Sequence, residues 1–300
     1  MSIWSRNTSR YKTMLLTTQK EVPICQNGTH NSGWHASLNL EISKKGKKSI
    51  ISKSRQKGPL TVQSPFYPEG SLCHLYLLHP PAGIVGGDHL ELNITTHNKG
   101  QLLVTTPGAT KFYRTNGRQA AQNQYFKLCA GTSLEWLPQE TIYYPDARAR
   151  LQTTVHLEDT ATFLGWEIHC LGLPVNGKNF EQGQAEIRLN IYRNKKPLLL
   201  EALNITKGKK PFQAAFLQNK PVVGSFVATG ADNSLLESLR ERLAHSQQDL
   251  WAATLLDDML IVRYLGTSTV QAGELFLMAW KHVRPHILGR EATPPRIWAT

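Results

Sequence analysis

From residue 34 onward, apolar and polar positions alternate one by one. Trp34, Ala36, Leu38 and Leu40 interleave with His35, Ser37, Asn39 and Glu41. A period of two predicts a strand with one buried face. Strand-length runs follow at residues 75–78, 90–95, 101–106, 124–128, 133–138, 153–157, 162–169, 185–192 and 197–205. Most gaps between them hold Gly, Pro, Asn or Asp. Strands recurring without helices between them predict a mainly β fold, a layered or coiled β-sheet in a single domain.

The last third reads differently. Asp232 is placed to cap a helix that carries Leu235, Leu236, Leu239 and Leu243 on one face. A second helix is expected over 270–287, with Leu275, Leu277, Met278, Val283 and Ile287 as apolar positions and Pro285 ending its regular part. Residues 259–265 read as a strand between the two. Neither helix has a partner of its own, so both are expected to pack on the sheet. Residues 1–32 are polar and aperiodic, and are expected to form a poorly ordered N-terminal extension to a β-rich domain at 33–300.

Turn-rich blocks crowd the segment 58–114. They read Gly58-Pro59-Leu60-Thr61-Val62-Gln63, Pro65-Phe66-Tyr67-Pro68-Glu69-Gly70, Gly83-Ile84-Val85-Gly86-Gly87-Asp88 and Pro107-Gly108-Ala109-Thr110-Lys111-Phe112-Tyr113-Arg114. Such corners punctuate short strands. Asp88 follows a Gly pair, where backbone can approach closely.

Composition narrows the class. With 300 residues, 40% hydrophobic and 19% charged, the chain is an ordinary globular protein. No run approaches the roughly 18 apolar residues of a membrane helix. Only Met14-Leu15-Leu16 follows the basic N-terminus, too short for a signal-peptide core, so a cytoplasmic protein is expected. The net charge is +12. Much of it sits in Lys44, Lys45, Lys47, Lys48, Lys53, Arg55 and Lys57, with Lys207, Lys209 and Lys210 as a second cluster. The first cluster reads as a solvated hairpin edge, where Lys blocks unwanted strand pairing, or as a face for an acidic protein partner. It lacks the aromatic interleaving of a nucleic-acid platform. Cys25, Cys73, Cys129 and Cys170 form no C-x-x-C pair, which fits buried, inert thiols in a reducing compartment. Trp34, Trp136, Trp166, Trp251, Trp280 and Trp298 read as core anchors, and the end at 294–300 as a segment docked on the body.

No phosphate-cradling loop, H-E-x-x-H or G-x-S-x-G is present. His35, His74, His79 and His169 are each read as isolated, so no stable metal site is expected. The suggestive residues are acids within apolar runs: Asp88, Glu135, Glu140, Glu167 and Glu201. A carboxylate inside a sheet is costly unless it is paired, hydrogen-bonded or bound to a cation. As a group they suit a wet path for a divalent ion, because oxygen donors release it more readily than thiolates and clustered imidazoles do. Two other readings stay open. One is a hydrolase with a scattered site using Asp88, His79 and Glu140. The other is a basic module binding nucleic acid or another anionic surface.

Several blocks together resemble the urease accessory protein family UreD, also called UreH. They are Gly58-Pro59-Leu60, Pro65-Phe66-Tyr67-Pro68-Glu69, Leu75-Tyr76-Leu77-Leu78-His79-Pro80-Pro81, Gly83-Ile84-Val85-Gly86-Gly87-Asp88, Thr110-Lys111-Phe112-Tyr113-Arg114, Leu134-Glu135-Trp136-Leu137-Pro138-Gln139-Glu140 and Pro295-Arg296-Ile297-Trp298. The resemblance runs from about Gly33 to Thr300. It implies a non-enzymatic scaffold that binds UreF, which recruits the nickel-carrying GTPase UreG, and that docks on the urease structural subunits. It implies a dimeric higher-order complex formed through partners, and transient Ni2+ with no tightly bound cofactor. It also implies a water-filled internal passage for Ni2+, whose residues fall by motif matching on Asp88, Thr110 and Glu201, with Glu167 as a further candidate. Thr110 keeps the hydroxyl of the family's usual Ser. Ala82 replaces a common Gly.

Overall fold

The structure, a computed structural model, describes residues 33–206, 217–244 and 249–299. The expected extension at 1–32, Cys25 and the Lys207, Lys209 and Lys210 cluster lie outside the described residues. The chain opens with β1 (His35–Lys45), β2 (Lys48–Lys57), β3 (Thr61–Val62), β4 (Cys73–Leu78), β5 (His89–His97) and β6 (Gln101–Thr105). It continues through β7 (Thr110–Phe112), β8 (Ala120–Leu128), β9 (Ser133–Leu137), β10 (Thr141–Tyr143), β11 (Arg148–Leu157) and β12 (Thr162–Leu171). Next come β13 (Gln184–Arg193), β14 (Lys196–Ile205), β15 (Val222–Thr229), α1 (Asn233–Leu243), β16 (Leu250–Leu256), β17 (Met259–Gly266) and α2 (Thr269–Leu288).

Successive strands alternate between two stacked sheets, so the chain coils. β4, β6, β9 and β12 lie side by side and parallel in the larger sheet. β5, β8, β11 and β13 do the same in the seven-stranded sheet. Antiparallel strands finish the edges: β2 and β14 on the smaller sheet, β15, β17 and β16 on the larger. The architecture is the expected mainly β, coiled single sheet domain with C-terminal helices packed on it.

The smaller sheet buries one face only. β5 and β13 alternate buried and half-exposed residues along their length. Its buried face meets the larger sheet, and Leu38, Leu92, Phe126, Leu151 and Ile187 fill the gap with Trp136 and Phe163. The larger sheet is covered on both faces. Its far side packs on α1 and α2 through Leu164, Trp166, Phe226, Leu239, Phe276 and Trp280. Asp232 caps α1, its Oδ1 accepting from Leu235 N at 2.8 Å.

The basic cluster is a hairpin edge. β1 and β2 turn at Gly46 (φ 60°), and β2 is the outermost strand of its sheet, with an extra residue at Ser52 that bulges the ladder. Lysines and a bulge both discourage pairing with another edge.

Some expectations are corrected. Pro285 does not end α2, which runs on to Leu288 and closes on left-handed Gly289 (φ 62°). A proline in the last turns removes one ladder bond where few remain, and Arg284 beside it is locked in place. Trp34 is 60% exposed, so it is no core anchor; the other anchors Trp136, Trp166 and Trp280 are buried. Trp298 docks on the body, donating from Nε1 to Thr105 Oγ1 at 2.8 Å. β15 escaped the apolar pattern because Gly224 interrupts it; a Cβ there would lie 2.8 Å from the Phe276 ring of α2. No helix among the described residues is long and apolar enough to cross a membrane.

Arg284 ties α2 to the larger sheet. Its side chain is wholly buried. Nε and Nη2 donate to the Glu135 carboxylate at 2.9 and 3.0 Å, and Nη1 and Nη2 donate to Glu69 at 2.6 and 3.0 Å. Trp280 Nε1 adds a bond to Glu135 at 2.8 Å, and His74 Nε2 meets Glu69 at 2.9 Å.

Candidate functional site

Strand alternation puts odd-numbered residues of β12 toward the smaller sheet and even-numbered ones toward the helices. Glu167 and His169 therefore share the seam between the sheets. Three cavities run along that seam. The first, of about 250 Å³, is walled by His79, Thr106, Thr110, Gln122 and others. The second, of about 20 Å³, has Thr110, Gln122, Gln124, Thr141 and Glu167 in its wall. The third, of about 470 Å³, has Glu167, His169, Glu201 and Arg263. Thr110 lines the first two and Glu167 the last two. The second is the smallest of the three, large enough for about one water-sized body. Trp136 in its wall carries a buried indole N–H with no partner among the described residues.

Glu167 is buried and has no Arg or Lys partner among the described contacts. The Thr153 hydroxyl donates to its Oε1 and also lies 3.1 Å from Gln124 Oε1. His169 Nε2 is 3.5 Å from its Oε2. Tyr143 is held well above the ordinary phenol pKa, first by burial and then by the Glu167 charge. It remains protonated, and its hydroxyl shares a hydrogen bond with His169 Nδ1 at 3.2 Å. The carboxylate is met by a hydroxyl and an imidazole rather than by a guanidinium or ammonium group.

Glu201 lies at mid-strand in β14 rather than at a strand end. Its Oε1 accepts from Arg263 Nε at 2.8 Å and Arg263 Nη2 at 2.5 Å, a pair that joins the two sheets at the third cavity. Both side chains are partly exposed, where such a pair holds about 1 kcal/mol at most. Thr110 sits half-buried on β7, with its backbone N donating to Glu140 O at 2.9 Å.

Asp88 is buried, and both carboxylate oxygens take backbone amides: Trp34 N on Oδ1 at 2.9 Å and Val85 N on Oδ2 at 3.0 Å. The Gly pair before it serves close approach, since a Cβ on Gly86 would lie 2.0 Å from Thr115 Oγ1 and Gly87 has a left-handed φ of 99°. Asp88 itself is not in the wall of the first cavity, but its charge reaches His79, which is. Burial lowers the His79 pKa and Asp88 opposes that shift.

Glu140 does not join Asp88 and His79. Its charge acts on Cys170, whose thiol is pushed up to about 11 by burial first and Glu140 second. Cys170 belongs to the helix-covered face of β12, across the sheet from the seam. Cys73 is also buried, with its thiol raised to about 11 by burial. Reading His169 as isolated missed its neighbours. The signal was present, since residues two apart on a strand share a face; Tyr143, Thr153, Gln122 and Gln124 left no such mark.

Comparison with known proteins bears on the whole chain. The family described as UreD urease accessory protein matches residues 35–299. A urease accessory protein UreD of Alcanivorax borkumensis is 43% identical over 278 residues, covering 91% of this chain and 94% of that protein. The protein of the same description from Klebsiella aerogenes is 41% identical over 269 residues, covering 89% and 97%. That of Aliivibrio fischeri (strain ATCC 700601 / ES114) is 41% identical over 282 residues, covering 91% and 98%. The chain belongs to the UreD family of urease accessory proteins, which serve urease maturation.

Proposed function

We propose that this chain hands Ni2+ to urease apoprotein, working in the cytoplasm within an assembly in which UreF joins it to the GTPase UreG. The ion is the cargo, and the chain turns over no substrate of its own. The proposed route is the seam, with Thr110, Glu167 and Glu201 as successive oxygen donors and Asp88 behind His79 at one end. The observation that carries this reading is the sharing of wall residues, Thr110 between the first two cavities and Glu167 between the last two.

The chemistry suits passage rather than storage. Carboxylate, hydroxyl and amide oxygens bind a divalent ion more loosely than thiolates do. At the second cavity the ion sheds part of its water, and the oxygens of Glu167, Thr141, Gln122 and Gln124 take its place. The weak pair of Glu201 with Arg263 gives way to a doubly charged ion at little cost.

The test is complementation of a urease gene cluster lacking its own UreD gene. Activity and nickel per active site are measured in the purified urease, and UreF and UreG are recovered by pull-down. The wild-type chain restores activity and nickel. Glu167→Gln, Glu201→Ala and Asp88→Ala keep the pull-down and lower the nickel content. Full nickel occupancy with the Glu167→Gln/Glu201→Ala double variant would sink the route.

A further inference from the structure

Two histidines on α2 take no part in the seam. His282 and His286 stand one helical turn apart, a spacing that places side chains on one face. His282 is half-buried and His286 exposed. Their ring centres are 5.6 Å apart and their planes inclined by 33°.

Each ring already spends one nitrogen on the protein. His286 Nδ1 donates to the His282 carbonyl at 3.0 Å, which leaves the Nε2 lone pair free. The Ser238 hydroxyl gives its proton to Leu235 O at 3.1 Å. With the proton so placed its oxygen can accept the His282 Nε2 proton at 2.8 Å, the tautomer that leaves the Nδ1 lone pair free. Bonds of this kind hold a metal-ligating imidazole in its tautomer and orientation.

We propose that His282 and His286 form a two-imidazole site for a late first-row divalent cation, Ni2+ among them, with water completing its coordination. Imidazole pairs at this helical spacing are a recurring metal-binding unit. Two rings sharing one ion at about 2.1 Å per bond have centres about 5 Å apart, so a small rotation of exposed His286 closes the pair. The C-terminal end of a helix favours positive charge, and His286 lies in the last turn. Arg242 of α1 opposes it with a like charge near His282. Among the described residues no third His, Cys, Asp or Glu completes the set, so the ion is held reversibly. The site stands on α2 and Ser238 alone and does not depend on the seam.

The experiment titrates the full-length chain with NiCl2 and follows the imidazole C–H signals by NMR. Paramagnetic Ni2+ is expected to broaden His282 and His286 together, ahead of His35 and His89. In His286→Ala, broadening of His282 is expected to need about tenfold more Ni2+, because the second ligand no longer acts at high effective concentration. Equilibrium dialysis is expected to count one fewer Ni2+ in that variant. Glu167→Gln is expected to leave the His282 and His286 broadening unchanged, which keeps this site separate from the interior route. Unchanged His282 broadening and an unchanged count in His286→Ala would overturn the site. His286→Asn serves as the second variant at this exposed position.

Discussion

Glu135 and Glu167 sit on neighbouring strands of the same sheet, yet they are treated in opposite ways. Glu135, on β9, points to the helices and receives two bonds from Arg284 and one from Trp280. Glu167, on β12, points to the seam and meets a hydroxyl and an imidazole, with no Arg or Lys. Both are nearly sealed from water, at 1% and 6% exposure. A buried carboxylate with a built-in guanidinium is closed chemistry, because its charge is spent on holding α2. A buried carboxylate without a fixed cation keeps charge available for something that arrives. The difference separates an acid committed to structure from one left available to the proposed route more sharply than burial does.

The largest effect should come from opening the closed cluster. Arg284→Met leaves Glu69 and Glu135 buried without their cation, and is expected to cost about 3–5 kcal/mol in urea unfolding. Replacing Glu135 by Leu as well should recover part of that loss, since an apolar set tolerates the site better than a stranded charge.

The same cluster has an acid signature. Burial raises the Glu69 pKa, but bonds from His74 and Arg284 outweigh it, and the carboxyl ends below its ordinary value of 4.5. With a depressed folded pKa, the unfolded chain takes up the proton first. The contribution is complete above about pH 4.5 and drains away as pH falls toward the folded value. Wild type should therefore lose stability over that window, and Glu69→Gln should show a flatter acid limb in the same measurement.

A smaller loss is expected at the lid of the cluster. Trp298 packs on Trp280 and Trp166 with ring centres 6.0 and 5.6 Å away. It is only partly buried, so Trp298→Ala should fall below the full core cost of about 3–5 kcal/mol, near 1–2 kcal/mol. A loss as large as that of Arg284→Met would make the terminal segment, rather than the ion cluster, the holder of α2.

How much of this was legible depends on which faces are buried. β1, β5, β11 and β13 read easily because their sheet keeps one face open, and one-sided burial writes a period of two into the sequence. The larger sheet is covered on both sides, and β12 is buried at nine consecutive positions. A run like that shows a strand but hides which face each acid takes, so Glu135 and Glu167 looked alike. Gly224 masked β15 because its reason lies in α2, far away in the chain. The Lys-rich hairpin was legible because its explanation is local. The seam was not, because Thr110, Glu167 and Glu201 meet only through the coiling of the chain. Residue-level reading marked the two acids as unusual, and the family resemblance supplied Thr110.

The smallest stability effect should belong to Glu167→Gln, and that makes it the sharpest test of the comparison. The amide oxygen still accepts from Thr153. Its NH2 meets His169 Nε2, and a shift of the imidazole proton to Nδ1 turns Nε2 into an acceptor. Tyr143 then accepts from Nδ1, so the Tyr143–His169 bond persists with its direction reversed. Every bond has a replacement, and a buried charge is removed, so the change in urea unfolding should stay within about 1 kcal/mol of zero. Glu135→Gln has no such escape, because Glu135 accepts from Arg284 Nε, Arg284 Nη2 and Trp280 Nε1 and an amide NH2 in its place must face one of these donors; a cost of about 3 kcal/mol is expected there. If the two substitutions cost the same, Glu167 is a structural acid like its neighbour, and its open side toward the cavities carries no cargo. If Glu167→Gln is nearly silent in unfolding while nickel loading of urease falls, the uncommitted charge is what the seam uses.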